Sequence, residues 1–339
     1  MTQKVQRVIA LLLLCAGLAA LAAYLWHGRA DGNAAAAPET VILATNTSYV
    51  GMCPIIAAQQ QGYFLRAGIA AQIQNHNSGK SALEAALQGR AHLGTVADIP
   101  IMFAVLDKVP VSVVATFFRA ERDHGIVGRR DRGVTGPGSL KGKRIGVTLG
   151  TSAHFVLNAV LNRQLLSARD VTLHNLKAEE FAGALQRGDV DAVSSWEPFL
   201  DGLATQLGSN ATVFYAEDLY EIPYNIAGSR EYVVSHPETI KKVLRAVVEG
   251  ARYCREEPAA AQAMTAAVMK STATKWRELW PSYRFSVGLD QALLLALEEE
   301  ARWAMSNQLV ATVPMPNYLG AIDLQPLKAV APAAVTVIH

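Results

Sequence analysis

Charged residues are few in this chain and nearly balanced. Lys and Arg number 31, Asp and Glu 29, in 339 residues, for a net charge of +2. That balance gives no argument for nucleic acid, whose recognition needs a concentrated basic face. The one basic cluster, Arg119, Arg122, Arg129, Arg130 and Arg132, reads first as a solvated connection and second as an anion-steering patch. Metal-ligand spacings are missing too. The histidines His76, His92, His124, His154, His174 and His236 are scattered, and none falls at a ligand interval from a cysteine or carboxylate. Neither a metal nor a cofactor is expected. No acid–base pair stands out, so nothing demands catalysis and the chain is read as a non-enzyme. Apolar residues, by contrast, make up 51% of the chain, enough for a substantial core and against broad disorder. A length of 339 residues leaves room for two domains.

Cysteine is scarce, at three residues. Cys15 sits in an apolar run, and the bulky Leu14 before it argues against lipoprotein cleavage. Cys53 and Cys254 lie in the body, and their spacing alone does not decide whether they pair. The apolar run, Val8 to Trp26, follows Lys4 and Arg7, and a polar break then leads to Ala34 to Ala37. This is the order of a secretory signal. At ~1.5 Å per residue the run also just spans the ~30 Å of bilayer hydrocarbon. Residues 1–40 are therefore expected to be a cleaved signal or a retained membrane anchor with its linker. Either one places the body outside the cytoplasmic membrane, in the periplasm or tethered by residues 8–26.

Two polar turns carry the functional argument. Asn77-Ser78-Gly79-Lys80-Ser81 and Gly150-Thr151-Ser152-Ala153-His154 each join an apolar run to an amphipathic helix. A helix start exposes unpaired N–H groups and the positive end of the dipole, and small hydroxyl residues let an anion approach. Apolar runs at Val41–Ala44, Val111–Ala115, Ile145–Val147 and Thr212–Tyr215 fit buried strands. Ile240, Val243, Leu244, Val247, Val248 and Ala251 form a helical stripe, opened by a capping-box pattern at Ser235-His236-Pro237-Glu238. Alternating strands and helices indicate α/β architecture with mostly parallel sheets. The chain also repeats itself approximately. Gly89 follows the first cradle helix and Gly188 the second, and each precedes a short strand leading to Ala97-Asp98-Ile99-Pro100 or Ser195-Trp196-Glu197-Pro198. Two facing lobes would bring both cradles into one cleft.

The ordered set of these pieces resembles the exported solute-binding proteins of ABC importers, in the nitrate/sulfonate/taurine group. The pieces are Gln61-Gly62-Tyr63-Phe64 with Ala67-Gly68-Ile69, Asn77-Ser78-Gly79, Ala97-Asp98-Ile99-Pro100, the run Ser139 to Val147, Gly150 to His154, Asp191-Ala192 and Trp196-Glu197-Pro198. The likeness runs from about Val41 to about Lys328. It implies a two-lobed type 2 periplasmic-binding-protein fold with hinge crossings near Ile126-Val127 and Asn225-Ile226. Lobe one would be residues 41–125 plus 226–330, lobe two 126–225, and 331–339 a tail. It implies ligand contacts at Tyr49, Ser78, Gly79, Thr151, Ser152, Ala153, His154, Trp196 and Glu197; Lys80, Asp98 and Asn225 complete the candidate set. The implied partners are a small anionic solute and a permease in the membrane, for a chain that acts as a monomer. The family also includes pyrimidine-precursor binders, so the fold does not fix the solute.

Each candidate has a plainer alternative. Lys80 opposes the helix dipole unless an anion offsets it, or it bends into solvent. Gly79-Lys80-Ser81 imitates the end of a P-loop, but Gln74 stands where that pattern needs glycine. His154 at a helix start should be neutral and either donate to a ligand or pack. Trp196, with Phe118, reads as an apolar cleft wall or as core. Glu197 separates ligand types: it pairs with the ammonium of a zwitterion such as taurine, or it makes a surface salt bridge beside Pro198 and the solute is a simple anion. Two other functions stay open: an exported serine hydrolase using Ser152, on a turn like the G-x-S-x-G elbow but with His154 in place of the last glycine, and a tethered ligand sensor.

Overall fold

The computed structural model describes residues 37–270 and 277–338. By contact the chain divides into Met1–Pro38 and Glu39–His339, and the second unit is the folded body. The signal or anchor expected at residues 8–26, and Cys15 within it, lie outside the described residues. Among those described, no helix is long and apolar enough to cross a membrane.

The body is built on two sheets. Strands β1 (Glu39–Thr45), β2 (Ile69–Asn75), β3 (Leu93–Ala97), β4 (Val111–Ala120), β10 (Ile222–Ser229) and β11 (Tyr283–Arg284) form the first, in the order β11-β4-β10-β3-β1-β2. Strands β5 (His124–Arg129), β6 (Arg144–Val147), β7 (Thr172–Asn175), β8 (Ala192–Trp196) and β9 (Ala211–Tyr215) form the second, in the order β7-β6-β8-β5-β9. All four sequence runs read as strands are strands. Central β3 and β8 are buried at every residue, as expected of strands covered by helices on both faces. A separate apolar core packs on each sheet.

The sheets are mixed rather than mostly parallel. Parallel pairing holds for β2–β1–β3 and β7–β6–β8. β10 pairs antiparallel with β3 and β4, and β5 with β8 and β9. The reason lies in the connections. Within a β–α–β series the crossover helix enforces parallel pairing. β5 and β10 instead enter from the other sheet, over residues 121–123 and 216–221, and are free of that constraint. Ile126 and Val127 therefore lie inside β5, and Asn225 and Ile226 inside β10.

The internal repeat is real but aligned differently from the sequence reading. In each lobe the chain runs strand, helix, strand, helix, strand, giving β2-β1-β3 and β7-β6-β8. The helix Ser152–Arg163 follows β6 and so corresponds to Cys53–Gln60, which follows β1, while Gly79–Leu87 corresponds to Phe181–Arg187. The helices before Gly89 and Gly188 are equivalent; the two cradle turns are not.

The helix Pro237–Glu256 buries Ile240, Val243, Leu244, Val247, Ala251 and Cys254. Its capping box does not form. His236 is the N-cap without a side-chain bond, and Ser235 closes the preceding short helix by donating to the Glu231 carbonyl at 2.6 Å. This long helix packs on Cys53–Gln60, where a Cβ on Gly250 would stand 2.0 Å from the Pro54 carbonyl oxygen. Cys53 and Cys254 form a disulfide there, with Cα atoms 6.1 Å apart. Within residues 331–338, at the end of the described chain, Thr336 N–H donates to the Leu289 carbonyl at 2.8 Å. The arginine cluster is largely paired: Arg119 with Asp290 at 2.8 Å, Arg122 with Glu217 at 2.8 Å and Arg129 with Asp131 at 2.7 Å.

Candidate functional site

A cleft lies between the two sheets, at the carboxyl ends of β1, β2, β3, β6 and β8. Its lining is Tyr49, Ser78, Gly79, Lys80, Ala97, Pro100, His124, Thr151, Ser152, Trp196, Ile222 and Tyr224. Its cavity volume is small, ≈ 20 Å³. That is room for a compact polar group, not a nucleotide.

Both cradle turns reach this cleft. Ser78 is the N-cap of Gly79–Leu87, its hydroxyl accepting from Ser81 N–H at 3.2 Å. Gly79 is required by packing: a Cβ there would stand 2.5 Å from Tyr224 Oη and 3.0 Å from Val96 Cα. Thr151 is the N-cap of Ser152–Arg163 and spends its hydroxyl on the Thr148 carbonyl, at 2.7 Å. The first N–H groups of both helices have no acceptor within their helix. Lys80 spans the lobes, its Nζ donating to the Leu149 carbonyl at 3.2 Å. Tyr49 is buried, its hydroxyl close to Asp123 and without a partner in hydrogen-bonding geometry among the described residues. Burial first, then the Asp123 charge nearby, raise its pKa well above the usual phenol value, so it stays a donor.

Ser152 Oγ lies 2.7 Å from His124 Nε2, and His124 Nδ1 lies 2.8 Å from the Asp123 carboxylate without hydrogen-bonding geometry to it. Asp123 accepts from the Tyr283 hydroxyl. Ser152, His124 and Asp123 are all buried. Trp196 walls the cleft, with its ring 6.2 Å from that of His124.

Other sequence candidates lie elsewhere. His154 lines an adjoining groove of ≈ 480 Å³ beside Phe103, Leu149 and Leu309. Its Nδ1 accepts from Gly150 N–H at 3.5 Å, and burial, then Lys80, push its pKa down to about 4, so it is neutral. Ala153 is buried behind the turn, its carbonyl accepting from Ser194 Oγ at 2.9 Å. Glu197 turns away from the cleft, accepting from the Tyr215 hydroxyl and from Asp201 N–H at 3.2 Å; burial raises its pKa to about 7. Asp98 accepts from the Tyr220 hydroxyl and, at 2.9 Å, from Ile99 N–H. Asn225 is internal to the sheet, accepting from Thr116 Oγ1 at 2.6 Å. Phe118 is fully buried, stacked on Tyr224 with centroids 4.9 Å apart, so it backs the cleft rather than walling it.

Sequence reasoning missed His124, Ile222 and Tyr224, which the two crossings bring in from distant parts of the chain. Ala97 and Pro100 stood in a recognised motif, but its charged member Asp98 drew the attention. For His124 the one available signal was an Asp-His pair directly before a buried run.

A family model described as NMT1/THI5 like matches residues 50–261, more than half of the chain. The chain belongs to the NMT1/THI5-like family. Among relatives of this NMT1/THI5-like protein is one of Bacillus subtilis (strain 168) named as an aliphatic sulfonates-binding protein, 26% identical over 199 residues, 57% of this chain and 60% of that protein. The taurine-binding periplasmic protein of Escherichia coli (strain K12) is 26% identical over 151 residues, 44% of this chain and 47% of its own length. The matches thus span less than two thirds of either relative. The family fold is shared with the alkanesulfonate-binding protein SsuA from Xanthomonas axonopodis pv. citri bound to MOPS: TM-score 0.73 and 22% identity, over 90% of this chain and 100% of that one. The relatives also include an enzyme, the 4-amino-5-hydroxymethyl-2-methylpyrimidine phosphate synthase of Aspergillus parasiticus, 27% identical over 222 residues, 61% of this chain and 64% of that one.

Proposed function

We propose that this chain is the extracytoplasmic solute-binding component of an ABC importer. It captures a small organic anion, of the aliphatic sulfonate, taurine or nitrate kind, between two lobes and delivers it to a membrane permease. One observation carries the reading: helix starts from two different lobes, at Ser78–Lys80 and Thr151–Ser152, open into a single cleft that is also lined by Tyr49. N–H groups and helix dipoles converging from opposite sides suit an anion better than any neutral group. The crossings at 121–123 and 216–221 are the natural hinge, and closing about them would exclude water and strengthen every bond to the solute. The protein acts as a monomer outside the cytoplasmic membrane, released or tethered through residues 8–26. The names of the two bacterial relatives support the same solute class.

Within that class the cleft favours a simple anion over a zwitterion. Its lining holds Lys80 and no carboxylate, so nothing there would pair with an ammonium. Calorimetry with ethanesulfonate, nitrate and taurine tests the reading. Ethanesulfonate should bind most tightly, and Ser152→Ala should weaken it by about tenfold to a hundredfold through loss of one charge-assisted bond. If no anion binds, or Ser152→Ala changes nothing, the reading fails.

A second reading has one observation in its favour. His124 Nε2 stands 2.7 Å from Ser152 Oγ, within reach of a base for that hydroxyl, while Asp123, 2.8 Å from His124 Nδ1, lacks hydrogen-bonding geometry to it. Treatment with a serine-reactive phosphonate decides between enzyme and receptor: a covalent adduct on Ser152 would favour a hydrolase.

A further inference from the structure

The cleft has room for a headgroup and for little else, so a carbon chain attached to that headgroup must leave it. Two grooves lead off, one on each side of Lys80. The first, of ≈ 640 Å³, runs past Asn75, His76, Asn77, Lys177 and Glu179 and is polar. The second is the groove of ≈ 480 Å³ that holds His154. Lys80 and Pro100 line both it and the cleft, so the two spaces meet at these side chains. Gly150 stands beside them, at positive φ. A Cβ there would lie 3.3 Å from Lys80 Nζ and 3.9 Å from the Phe103 ring. The neck between cleft and groove is thus bounded by bare backbone on one lobe and by Lys80 and Phe103 on the other.

Beyond the neck the walls are apolar. Leu83, Leu87, Phe103 and Val109 come from lobe one, Leu149 from lobe two, and Leu309 from the segment after the helix Gln291–Ser306. Trp303 backs two of the groove's rings, with its centroid 6.3 Å from that of Phe103 and 5.2 Å from that of His154. His154 is neutral, as burial and then Lys80 require, so it adds no charge to the wall. The groove's two carboxylates, Glu84 and Asp107, are exposed to solvent.

We infer that the apolar groove takes the hydrocarbon tail of the solute, which makes the preferred ligand a long-chain alkanesulfonate with an uncharged far end. This rests on the proposed function, in which the headgroup lies in the cleft against Ser78 and Ser152. Each methylene moved from water into the apolar groove adds up to about fourfold in affinity, and one laid along the polar groove adds nothing comparable. A second anionic group at the far end would lose water and meet Glu84 and Asp107.

The test is calorimetry with ethanesulfonate, butanesulfonate, hexanesulfonate and hexanedisulfonate. Affinity should rise along the first three, by at least about tenfold from ethane- to hexanesulfonate, while the heat-capacity change of binding grows more negative. Hexanedisulfonate should not share the gain. Val109 and Leu309 are 38% and 39% exposed, so the fold does not depend on them. The double variant Val109→Asn with Leu309→Asn should cut the hexanesulfonate advantage several-fold and leave ethanesulfonate binding unchanged. The alkyl series in the unaltered protein needs no variant to fold. Affinity that stays flat with chain length, a gain that survives the double variant, or a gain shared by hexanedisulfonate overturns the inference and leaves the receptor reading standing. A dimer in sedimentation that the double variant disperses would give the groove to a second copy of the chain, and overturns it too. If none of these anions binds, the receptor reading falls and the tail site with it.

Discussion

Asp98 and Glu300 face each other under the helix Asp98–Leu106, both fully enclosed. Asp98 has the Tyr220 hydroxyl and the Ile99 N–H as donors, whereas neither Glu300 oxygen has a partner in hydrogen-bonding geometry among the described residues. Burial, and then the Asp98 charge, raise the Glu300 pKa well above the ordinary carboxylate value. A neutral Glu300 is therefore the form that fits the fold. A carboxyl raised on folding contributes stability below its unfolded pKa, and that contribution is lost as pH rises through the folded value. Glu197 adds to the trend, its contribution fading between the unfolded value near ~4.3 and the folded value of about 7. We predict that the urea midpoint falls from about pH 5 to about pH 8. Glu300→Gln, which cannot ionise, should fall less and exceed the parent protein at pH 8. Equal midpoints for variant and parent at pH 8 would contradict this. The same residues show what a sequence hides. Asp98 and Glu197 stand in recognisable motifs, but their donors Tyr220 and Tyr215 are remote in the chain. Residue type marked both carboxylates as candidates; their orientation came from packing that no local pattern encodes.

Helix starts were the most legible elements, because capping is local chemistry. A serine or threonine next to a small residue after an apolar run is enough to place Ser78 and Thr151. The repeat was legible only in part. Glycine-terminated helices before β3 and β8 are marked by Gly89 and Gly188, both at positive φ. The pairing of cradle turns depends on counting every strand, and β2 and β7 carry weak signals because their faces are half exposed. Antiparallel entry of β5 and β10 left no trace in apolar patterning, which reports burial and not direction. At this scale the sharpest test is Gly79→Ala. The added carbon would meet Tyr224 Oη at 2.5 Å and Val96 Cα at 3.0 Å, so either the helix start or the tyrosine must move. We expect a loss of about 1–3 kcal/mol by chemical denaturation, together with weakened ethanesulfonate binding. Unchanged stability would show that Tyr224 yields freely.

For the molecule as a whole, the disulfide between Cys53 and Cys254 spans 201 residues. Loop-closure entropy for so long a span corresponds to about 5 kcal/mol, and measured losses on removing such bonds run at about 2–5 kcal/mol. Reduction, or Cys53→Ser with Cys254→Ser, should lower the melting temperature by several degrees without altering the Ser78 and Ser152 turns, which scanning calorimetry and anion titration read separately. The span has a further consequence. All of β2 to β10 lies between the two sulfurs, so the whole second lobe and much of the first belong to a covalent ring, with β1 and the chain after Cys254 as two arms leaving it. A single protease nick anywhere on the ring opens the backbone without releasing a fragment. Such a protein would run at full mass on a non-reducing gel and as two pieces once reductant is added.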